Sequence, residues 1–354
     1  MTLIVEIACI VGLACGWWLF ARTRTVPPLR KTTSAPAFSV VIPARNEAAN
    51  LPRLLVSMRA STAMAAEVIV VDDASTDATA LIAREHGAVV VESKQLPAGW
   101  TGKTWACWQG AQTAKSDLLM FLDADCYFAP EGLTRVIDWM GEEGSVAVSV
   151  LPYHSTQCWY EELSLFFNLM MAAGTGSFGA AGEGKLFGQS LIIRKELYER
   201  AGGHHAVRGE RLEHLAMSQH VLAAGGRVRT AVGRGVLLMR MFPEGYLQLL
   251  ESWKRSAATG ASSTSVKNLL LAIAWLSGAT TVFVGMACGL GWKALWMYLF
   301  YAIQFGWIAR RLGSFRLLTV VAYPVPLLFY FGVFGLSLLA KRSGVHATWK
   351  GRQV

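Results

Sequence analysis

The sequence predicts an α/β domain with a doubly wound, mainly parallel sheet, placed between apolar segments that suit a membrane. Three observations predict it. Residues 38–150 alternate short β-branched or wholly apolar runs with helical patterns, polar clusters follow three of these runs, and apolar segments lie near both ends of the chain. Strands that alternate with helices fold as a doubly wound sheet, which binds its ligand at the carboxyl ends of the strands.

Composition divides the chain into a soluble domain and membrane segments. Hydrophobic residues make up 53% of the 354 residues and charged residues 16%, against about a quarter in an ordinary soluble domain. The shortage of charge is confined to the first 20 residues and the stretch after Leu269. We therefore expect a membrane anchor over residues 1–24, a soluble domain over 36–266, membrane segments over 267–341 and a cytoplasmic tail over 342–354.

Basic residues beside the apolar segments predict the orientation. They follow the first segment, whose acidic residue Glu6 comes early, and they follow the later segments: Arg22, Arg24, Arg30, Lys31, Arg310, Arg311 and Arg316. Because cytoplasmic flanks are rich in Lys and Arg, we expect a multi-pass protein of the cell membrane whose soluble domain faces the cytoplasm. The same residues account for much of the net charge of +9, so no nucleic-acid partner is expected.

The C-terminal part predicts a helical hairpin followed by an ambiguous segment. Leu269–Leu290 and the shorter Ala294–Ile308 are the two arms, separated by three residues. Leu317–Ala340 either crosses once or is broken by Pro324 and Pro326 into a re-entrant or interfacial pair of half-helices. We favour the broken form, because a single crossing would leave the basic tail outside.

The soluble part predicts five strands and four helices in its first half. The strands are Phe38–Ile42, Val68–Val71, Ala88–Val91, Leu118–Leu122 and Val146–Val150, and the helices are Leu51–Ala60, Ala78–Glu85, Thr104–Ala114 and Glu131–Met140. Asn50 and Asp77 are the predicted N-caps of the first two helices. Ala106, Gly110 and Ala114 give the third helix a face of small residues for close packing.

Polar clusters follow the first, second and fourth predicted strands, at one edge of the sheet. The clusters are Pro43-Ala44-Arg45-Asn46-Glu47, Asp72-Asp73 and Asp123-Ala124-Asp125. Asp123 and Asp125 remain ionised side by side at little cost only near a cation, which predicts Mg²⁺ or Mn²⁺ held together with diphosphate oxygens. The alternative for an isolated D-x-D is a capping carboxylate or a surface turn.

The other clusters suit a nucleotide. Asp73 could accept a hydrogen bond from a base or a ribose hydroxyl, whereas Asp72 is expected to form an Asx-turn. Glu47 suits a ribose hydroxyl or the start of the following helix. Lys103, before the third helix, either meets a diphosphate or is a solvated lysine. The first strand is followed by no G-x-G-x-x-G and no P-loop, which argues against NAD.

Together these motifs resemble family 2 glycosyltransferases of the GT-A fold. Val40–Glu47, Val70–Asp77 and Phe121–Cys126 are similar to that family's nucleotide, ribose and metal motifs. Later segments are more similar to bacterial carotenoid glycosyltransferases of the diaponeurosporenoate type: Gly99–Gly110, Pro152–His154, Trp159–Met170, Gly202–His204, Arg240–Gly245, Thr259–Ala261 and Trp349–Gln353.

The resemblance implies a donor, an acceptor and roles for residues. It implies UDP-glucose or a similar donor and a long apolar carboxylic acid as acceptor. Residues 36–150 would form the nucleotide-sugar and metal half of the domain, and 151–266 the acceptor half with interfacial helices. The residues that would bind the nucleotide sugar are Pro43, Ala44, Arg45, Glu47, Asp73, Lys103 and Asp123, and those that would hold the metal are Asp123 and Asp125.

One stretch departs from the family pattern. Family 2 enzymes present an acidic pair at a helix start as the general base, and the matching stretch here is Glu213-His214. An ionised carboxylic acid needs no base, so an acid acceptor and a glycosyl ester product would account for the change. Glu213 and His214 are thus the catalytic candidates, and His204 and Arg208 the candidates for holding the acceptor.

Several alternatives remain open. The acceptor could be a polyprenyl phosphate, a hopanoid or diacylglycerol, and Trp159–Met170 is either a core helix or an interfacial helix that admits a lipid. Gln248–Trp253 is a distorted Q-x-x-R-W, so we expect a single transfer and no polymer. The resemblance to family 2 enzymes implies that this transfer is inverting. An inert, membrane-anchored nucleotide-sugar sensor or scaffold is the rival from another class, and retention of Asp125, Asp73 and Glu213 argues against it.

Overall fold

A computed structural model describes residues 3–29, 36–141, 145–182, 184–288, 291–342, 348–349 and 352–353, without the side chains of 258, 259 and those from 341 onward. Arg30 and Lys31 of the predicted basic flank, Leu290 at the predicted end of a span, and most of the predicted tail lie outside the described residues.

The chain divides into two compact units. The first combines Met1–Thr23, His154–Glu183 and Met241–Ala347, and the second combines Arg24–Tyr153, Gly184–Arg240 and Thr348–Val354. We call the first the helical unit and the second the sheet unit. The polypeptide passes from one unit to the other several times.

The described residues form these elements. The strands are β1 (Phe38–Ala44), β2 (Glu67–Asp72), β3 (Val89–Glu92), β4 (Leu118–Leu122), β5 (Cys126–Phe128), β6 (Val146–Leu151), β7 (Tyr153–His154), β8 (Ser190–Arg194), β9 (Arg227–Val232), β10 (Leu237–Met239), β11 (Thr348–Trp349) and β12 (Arg352–Gln353). The helices are α1 (Leu3–Leu19), α2 (Leu51–Arg59), α3 (Thr79–Glu85), α4 (Gly102–Thr113), α5 (Gly132–Met140), a 3₁₀ helix (Trp159–Ser164), α6 (Leu165–Thr175), α7 (Lys195–Arg200), α8 (Gly203–Ala206), α9 (Glu213–Ala223), α10 (Tyr246–Ser262), α11 (Val266–Ala287), α12 (Trp292–Leu312), α13 (Leu317–Val321) and α14 (Pro324–Arg342).

A seven-stranded sheet forms the centre of the sheet unit, in the order β3-β2-β1-β4-β8-β6-β9. The first four strands pair in parallel, as do β6 and β9. The sheet is therefore mainly parallel, as predicted, and each of the five predicted strands is present. The unpredicted β8 lies between β4 and β6, antiparallel to both. Its short apolar run carries no periodicity that separates a strand from a buried helix segment.

The predicted helices of the sheet unit are also present. Asn50 is the N-cap residue of α2, as predicted, but it does not cap the helix with its side chain, and Asp77 lies one residue before the N-cap of α3. The Asn50 side chain makes no capping hydrogen bond, and its amide donates to Glu47 Oε2 at 2.8 Å. A proline, Pro52, lies at the second helical position and has no N–H for such a cap. Asp77 accepts the Thr79 N–H at 3.0 Å, although Ala78 is the residue at the cap position.

Close packing of α4 on the sheet positions the ligand edge. Gly110 lies against β1, where an added Cβ would overlap Val41, and Ala106 is fully buried beside it. The predicted small-residue face therefore lies on the sheet. Thr101 caps α4 by accepting the Thr104 N–H, so the helix begins at Gly102 rather than at Thr104. The first turn of α4 consequently lies at the carboxyl ends of the strands.

Helices α1, α11 and α12 pack together in the helical unit. An added Cβ at Gly12 would lie 2.7 Å from the Ala274 carbonyl, which shows how closely α1 and α11 approach. The fully buried Gln304 accepts a hydrogen bond from Trp275 Nε1 at 2.7 Å and donates to the Leu13 carbonyl at 2.8 Å. The side-chain amide of Gln304 is thus paired within the bundle through both its oxygen and its nitrogen.

Among the described residues, only Val266–Ala287 is long and apolar enough to cross a membrane, by length and composition. Leu3–Leu19 and Pro324–Ala340 are apolar but shorter. The predicted segment over 317–340 is broken where the prolines suggested, since α13 ends at Val321 and α14 begins at Pro324.

Candidate active site

Asp123, at the end of β4, is paired with a lysine from α4. Lys103 Nζ lies 2.7 Å from Asp123 Oδ1 and 3.3 Å from Glu213 Oε1, and it donates to the Gly188 carbonyl at 2.8 Å. The three side chains are 29%, 27% and 12% exposed for Lys103, Asp123 and Glu213. The ammonium therefore bridges two carboxylates that come from different parts of the chain, and Lys103 is not a solvated surface lysine.

This ion-paired arrangement changes the basicity of its members. Burial lowers the pKa of Lys103, but the carboxylates of Asp123 and Glu213 outweigh burial and raise that pKa above its ordinary value. Burial raises the pKa of Glu213, but Lys103 and His214 outweigh it and hold that pKa well below its ordinary value. Glu213 is therefore ionised at neutral pH and is a weaker base than an isolated glutamate.

The His214 ring lies beside Glu213, and the backbone carbonyl of His214 accepts a hydrogen bond from Ser218 Oγ at 2.7 Å. Its Nδ1 is 3.9 Å from Glu213 Oε2, is buried, and makes no hydrogen bond to the part of the chain that is described. An added Cβ at Gly188 would lie 3.0 Å from this nitrogen and 3.3 Å from Glu213 Oε1. The glycine before β8 thus makes room for both candidate catalytic side chains.

Asp125 lies within a tight turn that follows β4. The Cys126 N–H donates to the Asp123 carbonyl at 3.2 Å, and Cys126 Sγ lies 3.8 Å from Asp125 Oδ1. No group of three or more His, Cys, Asp or Glu side chains within the described ranges could hold a metal. Two carboxylates nevertheless fit Mg²⁺ or Mn²⁺, because such ions take hard oxygen ligands and commonly complete their shell with phosphate oxygens. Lys103 already places one positive charge against Asp123.

The loops after β1 and β2 are joined by hydrogen bonds. Arg45 Nη1 donates to the Asp73 carbonyl at 2.6 Å, and the Glu47 N–H donates to Thr79 Oγ1 at 2.8 Å. Asp73 is 5% exposed. Asp72 Oδ1 accepts the N–H of Ser75, three residues on, at 3.3 Å, whereas the expected Asx-turn would have bonded the N–H two residues on. The candidate nucleotide-binding residues after these strands therefore lie close together.

A small cavity connects several candidates. Pro43, Lys103, Asp123, His204, Glu213 and His214 line it, together with apolar side chains such as Phe121, Leu191 and Met217. Ala44 is buried in β1. Arg208 does not line this cavity. Its side chain is exposed, and its carbonyl accepts hydrogen bonds from the Thr101 N–H at 2.9 Å and Thr104 Oγ1 at 2.7 Å.

Sequence reasoning missed two groups at this site. One is the Gly188 carbonyl that accepts from Lys103, and the other is Cys107, which lines the cavity from α4 at 1% exposure. A backbone carbonyl has no signature in a sequence. Cys107 stands one helical turn after Lys103, so the helical period could have placed it on the same face.

The mainly parallel sheet with acidic residues at its ligand edge has the GT-A fold of nucleotide-sugar glycosyltransferases, as its match to a glycosyl transferase family and to a solved glycosyltransferase structure shows. The chain belongs to glycosyl transferase family 2, and the sequence profile of that family matches residues 39–200.

Named relatives agree with this assignment. The 4,4'-diaponeurosporenoate glycosyltransferases of Staphylococcus aureus strains MRSA252 and USA300 are each 33% identical to this chain over 359 residues, covering 97% of it and 95% of their own length. Among solved structures, the mannosyltransferase PcManGT from Pyrobaculum calidifontis, in complex with GDP-Man and Mn²⁺, superposes with a TM-score of 0.55. It is 18% identical and covers 95% of this chain and 99% of its own, which shows the common fold.

Proposed function

We propose that this enzyme transfers one hexose, glucose from UDP-glucose, to a membrane-dissolved carotenoid carboxylic acid and forms a glycosyl ester. The observation that carries the proposal is the ion pair of Glu213 with Lys103, at 3.3 Å. A carboxylate held by a cation is poorly suited to take a proton from an alcohol. An acid acceptor has already lost its proton at neutral pH. The names of the Staphylococcus aureus relatives support the same acceptor class.

The donor would lie along the carboxyl ends of β1, β2 and β4. Pro43, Ala44 and Arg45 would line the base and ribose, and Glu47 and Asp73 offer carboxylates to base N–H or ribose hydroxyl groups. Arg45 is held against the Asp73 carbonyl at 2.6 Å, which fixes this edge before the donor binds. A donor fixed in one orientation enters the reaction with less entropy left to lose.

The leaving diphosphate requires positive charge. Lys103, at the first turn of α4, supplies one such charge. Asp123 and Asp125 are the residues that would hold Mg²⁺ or Mn²⁺. When bound, this ion would neutralise negative charge on the leaving diphosphate. Both carboxylates follow β4 directly, the position at which a doubly wound sheet binds its ligand.

The acceptor carboxylate would be held by His204 and His214 in the cavity that both residues line. One carboxylate oxygen attacks the anomeric carbon, the bond from that carbon to the diphosphate oxygen breaks, and UDP leaves with the bonding electrons. No proton moves in this step. Attack from the face opposite UDP inverts the anomeric centre, and a single sugar is transferred. Arg208 is exposed, and it stays a candidate for binding the acceptor carboxylate before the acceptor enters the cavity.

Lipid profiling of cells that make a carotenoid acid tests the proposal. Expression of this chain should give one new lipid, a monohexosyl ester of that acid that mild alkali cleaves, with release of UDP. Membranes from cells without the gene are the control. A hexosylated polyprenyl phosphate, hopanoid or diacylglycerol instead of the ester would contradict the acceptor assignment. Absence of UDP release with every acceptor would indicate a sensor or scaffold.

We also propose that the helical unit crosses the cell membrane several times and leaves the sheet unit in the cytoplasm. Charges within the α1, α11 and α12 bundle support this. Glu6 near the start of α1 pairs with Lys293 at the start of α12, at 3.0 Å, and marks one end. Lys267 lies over the Trp18 ring and marks the other end. Arg310 and Arg311 end α12, so the more basic end is assigned to the cytoplasm.

Thiol labelling tests this topology with a native residue. Cys288, which is exposed after α11, should react with a membrane-impermeant maleimide in intact cells, because it lies at the external end of the bundle. A cysteine introduced at the exposed Gln112 of the sheet unit should react only after permeabilisation. Cys288→Ser is the matched control and should lose the external labelling. Labelling of position 112 in intact cells would reverse the orientation.

A further inference from the structure

The sheet unit contains a buried pair of residues, Tyr198 and His204, that no step above uses as a pair. The Tyr198 hydroxyl lies 2.9 Å from His204 Nδ1, and the same oxygen accepts the backbone N–H of His204 at 3.0 Å. The two side chains are 1% and 5% exposed. The hydroxyl therefore contacts both the backbone and the ring of one histidine.

These two contacts fix the proton positions. A phenol hydroxyl has a single proton to donate, and a buried donor is almost always hydrogen-bonded. Within the described chain, His204 Nδ1 is the acceptor that this hydroxyl reaches. The Tyr198 proton therefore points to Nδ1, which must be unprotonated, and a neutral ring then carries its own proton on Nε2.

The backbone at Gly203 makes this geometry accessible. Its φ is +52°, and an added Cβ would lie 2.6 Å from Cε1 and Cζ of Tyr198. Any other residue would be strained at this φ and would collide with the tyrosine ring. The Gly202-Gly203-His204 segment is thus built to bring the His204 N–H onto the Tyr198 hydroxyl.

His204 lines the same cavity as Lys103 and Glu213. The ring of Phe121 meets it edge-on at 4.7 Å between centroids. Burial lowers the pKa of His204 to about 4; Lys103 acts in the same direction and Glu213 in the opposite one. The ring is therefore neutral at physiological pH. With Nδ1 occupied by Tyr198, Nε2–H is the group that the ring can offer to a ligand in the cavity.

We propose that Tyr198 is a positioning residue that keeps His204 as a neutral Nε2–H donor, and that this N–H binds an oxygen of the acceptor carboxylate. This inference rests on the proposed function for its ligand. A neutral donor orients one carboxylate oxygen while leaving the negative charge that the attacking oxygen needs. A cation at the same place would stabilise the acceptor before reaction more than in the transition state.

Kinetics of matched variants tests the ligand. Tyr198→Phe and His204→Asn should each raise the acceptor KM about tenfold or more, since a hydrogen bond to a charged group is lost, and should leave the donor KM unchanged. His204→Gln, whose amide can reach the place of Nε2–H, should retain more acceptor affinity than His204→Asn. Tyr301→Phe removes another buried tyrosine hydroxyl, which donates to the Cys9 carbonyl at 2.9 Å, and is the control expected to behave as wild type. Equal effects of His204→Gln and His204→Asn, or a rise in donor KM, would overturn the ligand assignment.

Imidazole ¹⁵N NMR of the detergent-solubilised protein tests the pair without any substrate. The signals lost in His204→Gln identify His204, and they should show an unprotonated Nδ1 and a protonated Nε2 at neutral pH. In Tyr198→Phe the preference for this tautomer should disappear. A wild-type ring that is protonated on Nδ1, or an unchanged tautomer in Tyr198→Phe, would overturn the inference. This result is independent of the acceptor, so a failure of the proposed function remains distinguishable.

Discussion

Asp125→Ala is expected to abolish sugar transfer while leaving the protein folded and membrane-bound. Asp125 follows β4 and is only partly buried, so its removal leaves no cavity in the core. Of the two proposed metal ligands, Asp123 is ion-paired with Lys103, so Asp125 would be the ligand that this lysine does not neutralise. Loss of a bound divalent ion removes several kcal/mol of charge stabilisation from the transition state. Initial rates of UDP release and of product formation measure the effect.

The control for this variant is an aspartate at the other end of the same strand, β4. Asp117 is exposed and precedes β4, at the end of the strand opposite Asp125, so Asp117→Ala should retain wild-type activity. EDTA should inactivate the wild type and the control, and added Mg²⁺ or Mn²⁺ should restore both but not Asp125→Ala. Full activity of the wild type in EDTA would show that the D-x-D motif serves another purpose.

Glu213→Gln is expected to retain most of the transfer rate, with a product ester that mild alkali cleaves. A general base normally contributes about 10²–10⁴-fold, and an acceptor that is already ionised does not need one. The Lys103 ammonium, 3.3 Å from Glu213, holds the pKa of that carboxyl well below its ordinary value. The kcat of the variant on a carotenoid acid, followed by alkaline treatment of the product, measures both expectations.

His214→Ala separates acceptor binding from proton transfer. His214 Nδ1 is buried and makes no hydrogen bond to a described residue, so it is available to the acceptor carboxylate. We expect the variant to raise the acceptor KM with a smaller effect on kcat. An alkali-stable glycoside together with an inactive Glu213→Gln would identify the acceptor as a hydroxyl and Glu213 as the base, and the acid assignment would then be wrong.

The sheet could be predicted largely from local pattern. The runs that became β1, β2 and β4 are apolar apart from Ser39, and a charged residue follows each within three positions; such apolar runs are typical of buried parallel strands. The break before Pro324 could be predicted for an equally local reason, because proline ends a preceding helix and tolerates the first turn of the next. The strand β8 could not, because its antiparallel insertion between β4 and β6 depends on partners far along the chain.

The sequence by itself determined the fold class, the family and the position of the acidic motif after β4, because these depend on short periodicities and on residues that are neighbours in the chain. Only the tertiary structure joined Lys103 to Asp123 and to the Gly188 carbonyl, which is 85 positions away in the chain, and only it placed Tyr198 on His204. Ion pairing and tautomer selection depend on distances of about 3 Å between atoms. Such distances between residues far apart in the chain are defined only once the helices and strands have packed.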